Sequence, residues 1–388
     1  MPALDLFENI NDAGELEDQQ HDEHDADHCE HAAAGRHVLE IGRELLELLV
    51  GEGRDASISR GRVDPVTLEL VTHFLAREDG VDAGALALYG CAGAPQLPPG
   101  LPAVELTAVP FFPQTEYQCG PAALATVLKH AGADVDADAL APEVYAPGLR
   151  GSLQPELLGA TRRHGFIPYV IEPYPSALAA ELAARRPVLV LQNLGVQRVP
   201  VWHYAVVVGI AGDEVVLRSG TQERRIESGS RFLREWQRGS NWAFVALAPG
   251  ELPETATADG YIRALAGAEP MLGAGAAERS YRAALERWPS DELVLFASAG
   301  QRYAAGDLGE ATTLYRRLLA ATPQNAAARN NLANVLAERG CHDEALAEAH
   351  AALAVVSATD ELGAAVRDTV AELERATAQS QGLKARCE

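Results

Sequence analysis

The chain has 388 residues, 47% hydrophobic and 22% charged, which is enough for two or three domains with cores of their own, and it has no apolar run near the roughly 18 residues of a membrane-crossing helix. Its formal net charge of −23 is opposite to what phosphate binding needs, so nucleic acid is not an expected partner. The five cysteines (Cys29, Cys91, Cys119, Cys341 and Cys387) are odd in number and scattered without a C-x-x-C, which argues against a disulfide framework and a zinc ribbon.

Residues 1–35 hold eleven acidic side chains, no lysine or arginine, and few large apolar residues. Such a segment does not offset its ordering entropy and is expected to be a disordered or loosely helical tail. Within it His21, His24, His28 and His31 stand at spacings of 3, 4 and 3, on one helix face with Cys29 adjacent. That pattern suits zinc or nickel, but a solvated acidic tail is the plainer reading, and no metal or other cofactor is assigned. Residues 36–87 read as a helical segment. Val38, Ile41, Leu45, Leu48 and Leu49 recur at helical spacing, and a second helix over 64–79 opens at Asp64 and Pro65.

Residues 88–103, rich in proline and glycine, read as a linker and a domain boundary. Leu88-Tyr89-Gly90-Cys91 looks like a bacterial lipobox, whereas the short apolar run before it, the tyrosine and the acidic flank do not fit a signal peptide. A lipidated Cys91 would place the chain at the cell envelope, and an unmodified one in the cytoplasm. It remains open whether residues 1–87 belong to the mature protein.

From 104 to 250 helix signals come first and strand signals later. The stretch CGPAALATVLKHAG predicts a helix opening at Gly120-Pro121 and stopped by Gly132, with Cys119 at its N-terminus. There the helix dipole and unpaired N–H groups are expected to favour a thiolate. Five residues earlier, Gln114 is positioned to turn an amide N–H toward the same point and to form, with the Cys119 N–H, a two-donor oxyanion hole. A thiol nucleophile also needs a proton partner. His203 supplies one, at the entrance to the first of two β-branched runs, 204–210 and 214–217, that flank the hairpin signal Ala211-Gly212-Asp213. Trp202 and Trp242 flank or line this point, with core packing the commoner explanation for both. His130 and His164, late in their helices, read as solvated.

Gln114, then Cys119-Gly120-Pro121-Ala122-Ala123 on a helix, then His203-Tyr204-Ala205-Val206-Val207-Val208-Gly209 on a strand, resembles the papain-like cysteine peptidases that process bacteriocin leaders after a double glycine. The resemblance covers about residues 104–360 and is closest to soluble bacterial forms with C-terminal repeats. It implies that Cys119 is the nucleophile, His203 the general base and acid, and Gln114 the oxyanion donor. In that family an Asp about sixteen residues after the histidine orients the ring; this chain has Ser219 there. A hairpin turning near Gly212 sets His203 beside Gly220 or Thr221, with Ser219 one residue from register, and leaves Asp213 at the far turn, too distant to orient the ring. Asn193 and Asn241 are further candidates. Ser219 accepts a hydrogen bond but brings no charge to stabilise imidazolium, so slower chemistry is expected than with aspartate.

From 276 onward a period of 34 appears: Tyr281 matches Tyr315, Leu285 matches Leu319, Pro289 matches Pro323, Gly306 matches Gly340 and Ala311 matches Ala345. The pattern resembles tetratricopeptide repeats, two to three of them, with the helix after Thr359 as a cap. The expected architecture is therefore an α+β papain-like peptidase domain (104–250) followed by an all-α tetratricopeptide-repeat domain (259–382). The expected activity is cleavage of a peptide bond in a peptide or protein substrate, with a protein partner on the repeats. The alternatives are an inactive papain-like cleft that holds peptides, and acyl transfer to an amine in place of water.

Overall fold

The computed structural model describes residues 95–114, 118–196, 198–357 and 361–379. The acidic tail with its histidines, the helices expected before residue 88, the lipobox-like Cys91, and Cys387 lie outside them.

The sheet is built from β1 (Val104–Glu105), β2 (Ile167–Val170), β3 (Val188–Asn193), β4 (Trp202–Ala211), β5 (Glu214–Ser219), β6 (Gln222–Ser228) and β7 (Ala243–Leu247). Its pairings are all antiparallel, in the order β2-β7-β3-β4-β5-β6, and β1 takes up the edge of β4 where β3 ends. β3 and the Tyr204–Ile210 stretch of β4 are buried throughout, which is why they read as continuous apolar runs without alternation. β4 and β5 pair Ile210 with Val215 next to the turn and Val206 with Arg218 farther on, with a bulge between Val207 and Gly209. A Cβ on Gly209 would stand 2.8 Å from the carbonyl oxygen of Val104, so the close approach of β1 requires glycine there.

Four helices belong to the sheet's first half: α1 (Cys119–His130), α2 (Ala137–Val144), α3 (Gln154–Arg163) and α4 (Pro175–Ala183); α5 (Gly229–Gln237) follows β6. α1 is buried on all sides from Gly120 to Leu128. Its alanines at 122, 123 and 125 let it lie close on β4 and β3, while α2 and α3 pack against it. Lys129 and His130 occupy its last turn, where cations favour the dipole, and Gly132 at φ +104° ends it.

The helical half comprises α6 (Ala258–Ala268), α7 (Ala274–Arg287), α8 (Glu292–Ala304), α9 (Leu308–Ala321), α10 (Ala326–Glu338), α11 (His342–Leu353) and α12 (Glu361–Gln379). The period of 34 has a physical basis. Asp291 and Asn325 each cap a helix through the side chain, Gly306 and Gly340 both take the left-handed conformation that turns α8 into α9 and α10 into α11, and Ala311 and Ala345 are the fully buried small residues where paired helices cross. Cys341, at the N-cap of α11, is buried in the second core.

The buried core under the sheet does not stop at residue 250. It runs on through Tyr261 and Leu265 of α6 and Tyr281 of α7 to Val294 and Ala297 of α8, and a second core begins at Leu295 and continues to Leu373. α6 packs on β2, the edge strand of the sheet.

Candidate active site

The first residue of α1 and the first residues of β4 meet at one end of the sheet. The backbone N–H groups of Tyr204, Gly120 and Cys119 itself face the Cys119 sulfur. Tyr204 directly follows His203, so this contact brings the start of the early helix to the start of the later strand. Gly120 is needed for the approach of a third segment: a Cβ there would lie 2.2 Å from the Ser152 hydroxyl. The Ser152 carbonyl in turn accepts from the Tyr204 phenol at 3.2 Å, and the Tyr204 ring meets Trp242 edge-on at 6.1 Å.

Gln114 occupies the gap where the β4–β5 ladder opens. Its backbone N–H donates to the Gly220 carbonyl at 2.9 Å, its Oε1 accepts from the Gly220 N–H at 3.0 Å, and its Nε2 donates to the Tyr204 carbonyl at 3.4 Å. The side-chain amide thus replaces a missing backbone rung between the two strands. Nε2 carries two N–H groups and Tyr204 takes one. Arg218, buried within β5, holds the preceding loop over the sheet by donating to the carbonyls of Val109 and Thr107, and it also reaches Glu223.

Nε2 of His203 and Oγ of Ser219 are 2.8 Å apart. Ser219 lies diagonally across the ladder on the same face as His203, past the pairing of Val206 with Arg218. Burial pushes the His203 pKa down to about 4, and the positive charge of Arg225 adds to the effect. Arg225 stands on β6 opposite Leu217 and pairs with buried Glu227. Burial also raises the pKa of the Cys119 thiol, and the three N–H groups facing the sulfur offset this only in part. Against the thiolate expected at this helix start, desolvation outweighs the helix end and favours the neutral thiol, as it favours the neutral imidazole at His203.

The other candidates lie elsewhere. The Asn193 side chain accepts from the N–H groups of Gly195 and Val201 and so fastens the β3–β4 loop. Asn241, at φ +50°, donates its N–H to the Trp236 carbonyl in the turn before β7. Asp213 sits at the distant hairpin turn, where its carbonyl accepts from Gly229. Trp242 is packed against Phe244 as well as Tyr204, whereas Trp202 is 55% exposed, contrary to the core role expected of it. His164 is bonded to Glu143 and His130 to the Arg185 carbonyl. Residues not anticipated from the sequence are Arg218, Arg225 and Ser152. An arginine inside the apolar run VVLRSG and a second turn signal at Ser219-Gly220 were the available cues.

Among the described residues no group of three or more His, Cys, Asp or Glu is arranged to hold a metal ion, and no helix is long and apolar enough to cross a membrane. Residues 110–244 match the model of the Peptidase C39 family, and residues 314–347 match that of the tetratricopeptide repeat. Among solved structures the chain is similar to a C39-like peptidase from Bacillus anthracis, at 20% identity over 38% of this chain and 98% of that one, with a TM-score of 0.32. It is also similar to MamA, at 12% identity over 32% of this chain and 83% of that one, with a TM-score of 0.26. No curated protein matches the chain.

Proposed function

For a chain that carries a C39-family peptidase domain followed by tetratricopeptide repeats, we propose the activity of a cysteine peptidase that cleaves peptide bonds through Cys119 and His203, with Gln114 as oxyanion donor. The observation that carries this reading is the meeting of the Cys119 sulfur with the N–H of Tyr204, the neighbour of His203. Ser219 engages Nε2 of the ring, which leaves Nδ1 for the thiol. In the productive tautomer Nε2 carries the hydrogen and donates it to Ser219.

From the neutral resting pair, Nδ1 takes the thiol proton as the sulfur attacks the substrate carbonyl carbon. The oxyanion that forms is stabilised by the second N–H of Gln114 Nε2 and by the Cys119 N–H. The imidazolium then protonates the leaving amine, which leaves a thioester. Water, deprotonated at the same Nδ1, attacks the thioester and restores the thiol as the acid product leaves. Because the fixed donors of Gln114 and Cys119 act on the transition state, the absence of a resting thiolate does not prevent catalysis. Residues 259–382 supply the repeat region, to which we assign a protein-binding role.

A second reading, a cleft that holds peptides without cutting them, is favoured by one feature: the imidazolium formed in turnover has uncharged Ser219 on one side and cationic Arg225 near it. Iodoacetamide labelling read by mass spectrometry decides between the two. For the peptidase, Cys119 alkylation slows on His203→Ala, and a quenched peptide is hydrolysed by the parent chain and not by the variant. Alkylation indifferent to His203, together with no hydrolysis, leaves the holding role. Product analysis with an added amine separates hydrolysis from acyl transfer.

A further inference from the structure

Two loops, residues 147–153 and the described part of the β3–β4 connection (194–196 and 198–202), carry six of the eleven large apolar side chains that stand exposed among the described residues, a concentration that marks them off from the rest of the surface. Both border the candidate site. In the first, Leu149 and Leu153 flank Ser152, whose hydroxyl lies against Gly120 and whose carbonyl takes the Tyr204 phenol. In the second, Val196, Val199 and Val201 lead to Trp202, which immediately precedes His203.

On either side of residue 197 the second loop is held by backbone bonds. Leu194 donates to the Val201 carbonyl, Val196 and Val199 bond one another in both directions, the Asn193 amide oxygen holds Gly195 and Val201, and the Arg238 guanidinium holds the Asn193 carbonyl. Its apolar side chains are thus presented in advance, so little ordering cost is left to binding. The charge of this rim is opposite to that of the chain. Neither loop contains Asp or Glu, and they bring Arg150 and Arg198, in a chain of net charge −23. An acidic ligand meets two arginines and no carboxylate of these loops, while two copies of so acidic a chain repel each other.

We infer that this rim is the substrate-selecting surface of the same site, and that it takes an extended peptide in which bulky apolar side chains adjoin acidic ones. The inference rests on the site being a peptidase site.

The test uses the full chain carrying Cys119→Ala, so that binding is read without turnover. The probes are fluorescein-labelled octapeptides on a Gly/Ser frame that differ in one dipeptide: Leu-Glu, Leu-Lys, Ser-Glu or Ser-Lys. The Leu-Glu peptide is expected to bind at least about ten-fold more tightly than either Ser-Glu or Leu-Lys. Val199→Ser with Trp202→Ala removes the advantage of leucine, and Arg198→Glu reverses the order of glutamate and lysine. All three positions are exposed, and circular dichroism checks that the variants fold. Equal affinity for the four peptides, or preferences that survive these substitutions, overturns the inference, as does a reversible dimer in sedimentation that Trp202→Ala dissolves. Cys119-intact chain on the same peptides separates this inference from the premise. Selective binding without cleavage sinks the peptidase and keeps the rim; cleavage without preference does the reverse.

Discussion

The β4–β5 hairpin ends in two different ways. At the Gly212-Asp213 end the chain closes the ladder with its own backbone: Gly212 supplies the positive φ, Ala211 pairs with Glu214, and Asp213 ties down the start of α5. At the His203 end the ladder stops at Val206 and Arg218, and a side chain from ninety residues earlier in sequence, Gln114, completes it. The first end is a local solution that stabilises. The second leaves a main-chain N–H, that of Tyr204, available to a sulfur, and it braces both strands through one side-chain amide. The lesson is that the candidate site lies where the sheet's own hydrogen bonding is left unfinished.

The contrast can be broken most severely at the sulfur. Cys119→Ala is expected to lower kcat by at least about 10⁴-fold, and His203→Ala by a similar factor, because the two act as a unit. Asp213→Ala, at the closed end, is expected to leave kcat within about two-fold, since that turn uses the Asp213 carbonyl. Hydrolysis of a quenched peptide by the three variants measures this, and equal losses at both ends of the hairpin would defeat the comparison. Next in size, Gln114→Ala should cost about 10²–10³ in kcat through the lost donor. It should also cost about 1–3 kcal/mol of stability, because the Gly220 N–H loses its acceptor. Urea unfolding of the same sample reads the second effect.

Protonation sharpens the comparison further. His203 titrates at about 4 in the fold and near 6.5 when unfolded. Between those values the unfolded chain holds the extra proton, so stability is present above pH 6.5 and is lost as pH falls toward 4. The loss from this group is up to about 3 kcal/mol, and His203→Gln should flatten the curve in denaturant titrations across that window. Activity is expected to persist down to about pH 4, where the ring can no longer take a proton, while Cys119 alkylation rises steadily into the alkaline range. Among the substitutions at the open end, the smallest effect on rate is expected from Ser219→Asp. A carboxylate between the ring and Arg225 should move the acid limb of the rate profile upward by about 1–3 pH units and raise kcat by about ten-fold. An unmoved acid limb would show that Ser219 does not govern the ring.

Local signals make much of this readable in the sequence. Gln114 and Cys119 precede one helix whose Gly-Pro opening is plain, and the hairpin turn at Gly212 is enough to bring Ser219 near His203, because a period-two ladder propagates register from its turn. The repeats are readable because Gly306 and Gly340 recur with the crossing alanines 311 and 345. What sequence alone does not carry is the consequence of burial. The helix start at Cys119 promises a thiolate, yet the desolvation that reverses it comes from segments remote in the chain. Arg225 reaches the site only through a second turn at Gly220, and Trp202 reads like Trp242 until one is found exposed and the other packed. The continuation of the core past residue 250 is likewise hidden, because nothing in the composition of α6 says what covers it.

That continuation governs how the molecule can be dissected. With Tyr261 and Tyr281 set in the same interior as the strands, a gene fragment stopping after β7 would strip the outer strand of its cover and lay bare aromatic surface, inviting clumping in place of a tidy minimal enzyme. A usable truncation must retain α6, α7 and the inward face of α8. For the same reason, cleft and solenoid should melt together in calorimetry and turn in solution as one rigid piece.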